Sequence, residues 1–241
     1  GGAVINLDDQ FHDYFAAQAK SHGLRLVTVS AENSQADLYA TDIEVGASSV
    51  GFVLHADGKS LPVSLPVPGR YQVLNALMAL AAAGLVGVPA DQCVSRLAAL
   101  RPVKGRMNLH ACHGGVLVDD TYNANPGAVR TVAQWLAAQS GPTLLVLGDI
   151  AELGQGATDI MKQVGADVRA AGVDEMLVVG SLATATAAGF GDKAHVMESK
   201  LDAANEARRV LTGGGTVLVK GSRSAAMEEV VDHLMETGGQ R

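Results

Sequence analysis

The chain has 241 residues, 48% of them hydrophobic and 18% charged, with a formal net charge of −7. This length suits two domains and this apolar share fills their cores, which argues against a disordered chain. The negative balance argues against a nucleic-acid partner, and two cysteines, Cys93 and Cys112, are too few for a disulfide framework or a zinc cluster.

In chain order, residues 3–7 and 24–29 read as short strands around a polar helix over 9–21. Residues 38–66 alternate with the strand period, as in Tyr39, Thr41, Ile43 and Val45, and Asp57-Gly58 is a hairpin signal within them. A small antiparallel layer is expected there, ended by Pro66, Pro68 and Gly69. Helices follow over 70–85, rich in alanine and leucine, and over 90–100. The apolar run 76–88 contains two glycines and is too short to cross a bilayer, so no membrane insertion is expected. Residues 101–105 break the pattern and form the candidate linker.

Beyond residue 106 strands and helices alternate. Strands are expected over 116–118, 143–147, 176–179 and 216–219, with a shorter one near 195–197. Helices are expected over 126–139, 158–171, 182–188, 200–211 and 224–236. Gly141, Gly172 and Gly213 fall where helices end. Continuous apolar strands between amphipathic helices imply an α/β fold with a mainly parallel sheet covered on both faces.

In such a sheet the strand ends share one edge, where ligands bind. Three of those ends carry polar loops. Asp119-Asp120-Thr-Tyr-Asn-Ala-Asn-Pro126 leads into a helix with Asn125 as N-cap and Pro126 in the first turn. Gly148-Asp149-Ile-Ala-Glu152-Leu-Gly154 follows the second strand, although its acidic spacing equally suits a helix cap. Lys220-Gly-Ser-Arg-Ser224 follows the last strand. It combines two cations with an expected helix start at Ser224, all of which attract anions. Gly58-Lys59-Ser60 is not a phosphate loop, because Val53 stands where the first glycine is required. The seven histidines show no metal-ligand spacing.

Taken in order, Gly105-Arg106, the Asp119–Pro126 run, the Gly148–Gly154 run and Lys220-Gly-Ser-Arg-Ser-Ala-Ala-Met-Glu228 resemble the Mur ligases. Upstream, Leu65-Pro-Val-Pro-Gly-Arg70 with Asn75-Ala-Leu77 extends the resemblance. It is strongest to the branch that joins D-alanyl-D-alanine to UDP-N-acetylmuramoyl-tripeptide with ATP and Mg²⁺. The resemblance implies that residues 1–105 are the later part of a central ATP-binding domain, partial α/β with the small antiparallel layer. Residues 106–241 would be a Rossmann-like C-terminal domain.

The family's glycine-rich phosphate loop is absent from this sequence, and the Mg²⁺ ligands are expected upstream. The chain therefore reads as a fragment, inactive alone and without a catalytic residue or metal ligand of its own. The resemblance assigns Asn75 to the adenine region, Arg106 to an ATP phosphate, Asp120 to the ribose, and Tyr122 and Asn123 to the same nucleotide edge. It assigns Lys220, Ser222 and Arg223, with Asp149 and Glu152, to the substrates. It also implies a monomeric protein of the bacterial cytoplasm.

Two positions depart from the family pattern: Tyr71-Gln72 replaces a His-Asn pair, and Met161 stands where a histidine often occurs. The alternatives are a non-catalytic nucleotide- or peptide-binding module and a folylpolyglutamate-synthase-like ligase. The Lys220–Met227 run argues against the second.

Overall fold

Residues 1–238 are described by a computed structural model, in which the chain divides into Gly1–Arg101 and a second unit from Pro102 onward. In the first unit, β1 (Gly2–Asn6), α1 (His12–Ser21) and β2 (Arg25–Ser30) make a parallel β-α-β unit. Strand β3 (Leu38–Val45) touches β2 in parallel over two residue pairs. It then runs antiparallel to β4 (Val50–Ala56), which pairs with β5 (Lys59–Leu65). The expected antiparallel layer is therefore one half of a continuous sheet in the order β1-β2-β3-β4-β5.

The turn between β4 and β5 places Asp57 and Gly58 at φ 51° and 72°, the two left-handed residues that a type I′ hairpin needs. Alternate residues Val50, Phe52, Leu54 and Ala56 face inward, against Val73, Leu77 and Leu80 of α2 (Tyr71–Leu85). Helix α3 (Ala90–Ala98) packs on β5.

The second unit opens with β6 (Asn108–Cys112) and β7 (Gly115–Asp120), joined through His113 and Gly114, both at positive φ. Alternation then gives α4 (Pro126–Ala137), β8 (Thr143–Leu147), α5 (Ala157–Ala171), β9 (Glu175–Val179), α6 (Ala183–Phe190), β10 (Ala194–Met197), α7 (Lys200–Thr212), β11 (Thr216–Lys220) and α8 (Glu228–Gly238). The sheet order is β10-β9-β8-β11-β7-β6. Every pairing except β6 with β7 is parallel.

Leu117, Val217, Val219, Leu144, Val146 and Leu177 bury one face under α7 and α8. The opposite face carries α4 and α6, with α5 packed beside both. The fold class is α/β as expected, with one strand added at the edge. Met107, Leu109 and Ala111 alternate with Asn108 and His110 ahead of Gly114-Gly115, a short strand-and-turn signal that marks β6 and that the expected elements leave out.

The last helix corrects the expectation of 224–236. A 3-10 turn spans Arg223–Ala225, Ala226 sits at φ 49°, and the α-helix begins at Glu228. The reason is Met227, which is fully buried in the core. Its side chain occupies space beside Gly148 and Gly221 that a Cβ on either glycine would meet at under 3 Å. Placing Met227 there interrupts the helix and moves its N-terminus away from Ser224. The true first turn carries Glu228 and Glu229, which does not favour an anion.

Candidate functional site

Because β7, β11, β8 and β9 are parallel neighbours, their C-terminal loops lie side by side. Buried polar groups need partners, and here they find one another across the loops. Lys220 ends β11 with its side chain 4% exposed, and its ammonium contacts three acceptors of the neighbouring loop. It donates to Asp120 Oδ2 at 2.6 Å, to the Asn123 carbonyl at 2.9 Å and, more weakly, to the Asp120 carbonyl at 3.5 Å. An ammonium has three N–H donors, so none is left for a substrate carboxylate. The contacts that Lys220 makes here are internal.

On the other side of β11, the Ser222 N–H and hydroxyl both donate to the Asp149 carbonyl, at 3.0 and 2.8 Å. Ser222 is almost wholly buried. The Asp149 carboxylate accepts from the Ser181 N–H and hydroxyl, each at 2.8 Å, and from the Leu182 N–H at 3.1 Å. Asp149 thus ties down the loop leading into α6, a capping role carried out across strands. Asn123 accepts from the Arg223 N–H at 3.3 Å. These bonds make a continuous belt across the ends of four adjacent strands.

Asp119 and Asp120 anchor the start of the unit. Asp119 Oδ2 accepts from the Gly105 N–H at 3.1 Å, and its Oδ1 accepts from the Thr121 hydroxyl and N–H. Asp120 Oδ1 accepts from the Met107 N–H at 3.2 Å. Burial pushes the Asp120 carboxyl above its ordinary range, against the opposing pull of the Lys220 ammonium. Its side chain keeps 11% exposure.

Four side chains face outward from this belt. The Arg106 guanidinium lies over the Tyr122 ring, 4.2 Å from its centroid, and Tyr122 is 48% exposed. Arg223 is exposed and donates to Glu228 at 2.8 Å. Glu152 is exposed at φ 63°. Asn75 belongs to the first unit, exposed on α2, where it donates to Gln72 Oε1 at 3.1 Å. Gln72 is one of the two departures from the family pattern. Met161, the other, is fully buried in α5, so it serves the core.

Among the described residues no group of three or more His, Cys, Asp or Glu is placed to hold a metal ion. No helix among them is long and apolar enough to cross a membrane. An exposed cation and an aromatic face, on a rigid sheet edge, suit an anionic ligand with a planar group. Sequence reasoning passed over the internal partners, which come from strands far apart in the chain.

The Mur ligase middle domain profile matches residues 1–83, and the profile of the Mur ligase, glutamate ligase domain matches residues 105–223. The UDP-N-acetylmuramoyl-tripeptide–D-alanyl-D-alanine ligase of Escherichia coli K12 is 38% identical, over 99% of this chain and 53% of that protein. The protein of the same name from Mycobacterium bovis is 34% identical, over 98% and 51%. A crystal structure of MurF from Acinetobacter baumannii superposes with a TM-score of 0.89 at 32% identity, covering 98% of this chain and 52% of that one. The chain spans about half the length of the curated relatives it matches. With both profiles matched in order and one fold shared along nearly its whole length, the chain belongs to the Mur ligase family.

Proposed function

We propose that this chain works as the later part of an ATP-dependent ligase that joins D-alanyl-D-alanine to UDP-N-acetylmuramoyl-tripeptide. In this reading residues 1–105 complete the central ATP-binding domain and 106–241 form the C-terminal domain. The observation that carries the proposal is the outward-facing Arg106–Tyr122 pair at the parallel strand ends, in a chain that matches such ligases along its length.

The chemistry forms an acyl phosphate when the tripeptide carboxylate attacks the γ-phosphorus and ADP leaves. The amine of D-alanyl-D-alanine then attacks that carbonyl, and inorganic phosphate departs as the amide forms. Both steps depend on charge neutralisation and alignment rather than on a covalent protein nucleophile. Arg106 neutralises phosphate charge, and Tyr122 and Asn123 line the nucleotide edge. The exposed part of the Asp120 carboxylate accepts from the ribose, and Asn75 serves the adenine region. Arg223 and Glu152 meet the substrates, while Lys220, Ser222 and Asp149 hold the loops that carry them. Mg²⁺ is assigned to ligands outside this chain, since among the described residues no group of His, Cys, Asp or Glu is clustered for a metal.

The sequence contains no G-x-x-x-x-G-K-[ST] run, so the chain by itself is proposed not to turn over. The test joins it to the preceding half of the Escherichia coli relative and follows phosphate release with both substrates. The chimaera is expected to release phosphate only when D-alanyl-D-alanine is present, and the chain alone to release none. Turnover by the chain alone would overturn the fragment reading. Glutamylation of a folate, with D-alanyl-D-alanine ignored, would move the chain to the folylpolyglutamate-synthase class.

A further inference from the structure

Asp119 is a buried carboxylate, 3% exposed, that the reaction outlined above does not use. Its surroundings show what it holds. Oδ2 accepts from the Gly105 N–H at 3.1 Å, and Oδ1 accepts from the Thr121 hydroxyl at 2.6 Å and from the Thr121 N–H at 3.2 Å. The Gly105 carbonyl in turn accepts from the Tyr122 N–H at 3.0 Å. Residues 105 and 121–122 are thereby laced together from both sides.

Arg106 stands between two left-handed residues, Gly105 at φ 74° and Met107 at φ 51°. Gly105 has no room for a side chain, because a Cβ there would meet Tyr122 N at 2.9 Å. The Met107 side chain is sunk in the core and its N–H donates to Asp120. The backbone on either side of Arg106 is therefore immobilised, while the Arg106 side chain itself is exposed over the Tyr122 ring.

We propose that Asp119 is a positioning residue, whose carboxylate ties Gly105 to Thr121 and so presets the Arg106 guanidinium over Tyr122. The use of that pair on a nucleotide rests on the function proposed above; the clamp itself does not. A carboxylate suits the task because three N–H and O–H donors converge on it and none of its oxygens must donate. An asparagine of the same shape turns an N–H₂ toward one of those donors and strands it.

The test uses the intact chain and proton–carbon NMR of Arg106, its signals identified by their loss in Arg106→Lys. A side chain stacked on a ring has its δ-methylene protons shifted upfield and shows cross-relaxation with that ring. Asp119→Asn is expected to fold, as read by circular dichroism, but to lose both signatures. Gly105→Ala displaces the pair without touching a buried charge and is expected to lose them too, so the test survives if Asp119→Asn fails to fold. Thr121→Val keeps the Gly105 bond and is expected to keep both signatures.

A folded Asp119→Asn that retains the upfield shift and the ring contact overturns the proposal. So does a Thr121→Val that loses them while the Gly105 and Thr121 N–H groups still donate to Asp119, because the clamp would then not suffice to hold the pair. In the chimaera, Asp119→Asn is expected to raise KM for ATP by about tenfold with a smaller change in kcat, the scale of one charge-assisted contact. A chimaera that is inactive with the parental sequence refutes the proposed function, while the NMR readout still decides the clamp.

Discussion

Lys220 and Asp120 are a hundred positions apart in the chain, yet they form the best-buried ion pair among the described residues. Taking both charges out of water is costly, and their mutual attraction with the added carbonyl contacts offsets that cost only while every partner is present. Lys220→Met leaves the Asp120 carboxylate buried with the Met107 N–H and no counter-charge. It is expected to lower the unfolding free energy by about 3–5 kcal/mol, measured by urea denaturation followed by circular dichroism. Exposed pairs such as Arg130 with Asp167 are worth far less, because water screens them and two long side chains must be ordered. The charged residues of the loops were legible in the sequence. Their partners were not, since Lys220 meets Asp120 only after β11 inserts beside β7.

At the scale of elements, α5 and α6 approach each other through glycines. A Cβ on Gly165 would collide with the Thr186 carbonyl, and one on Gly189 with the Lys162 carbonyl. Alanine is the better helix former by up to about 1 kcal/mol, but forcing a methyl into a closed contact costs about 1–3 kcal/mol. Gly165→Ala is therefore expected to destabilise the second unit despite its helix propensity, seen as a lower urea midpoint with an unchanged slope.

Helical periodicity was plain over 158–171 and 182–188, whereas the crossing that demands glycine depends on two helices meeting. The same limit explains the final helix. Local pattern favours a start at Ser224, and the core position of Met227 moves it to Glu228. β6 is different: it pairs with β7 at the sheet edge, and its alternation of Leu109 and Ala111 with Asn108 and His110 before Gly114-Gly115 is legible locally.

For the whole molecule, each unit has its own core, with cluster members drawn from that unit alone. Residues 102–241 expressed separately are expected to unfold cooperatively in urea, with the far-ultraviolet spectrum of a mixed α/β protein. A non-cooperative transition would show that this core is incomplete without the first unit.

The sequence by itself determined the α/β class, the alternation of strands and helices beyond residue 106 and the family, because these rest on periodicity and on short contiguous motifs. It also placed the polar loops on one sheet edge, since parallel strands leave no other arrangement. Only the tertiary structure decided which polar residues face outward and which are spent inside. Lys220, Ser222 and Asp149 turn inward because burial at the strand ends leaves each needing a partner, and the nearest partners lie on neighbouring strands. Arg106 and Tyr122 face outward because the backbone beneath them is already satisfied.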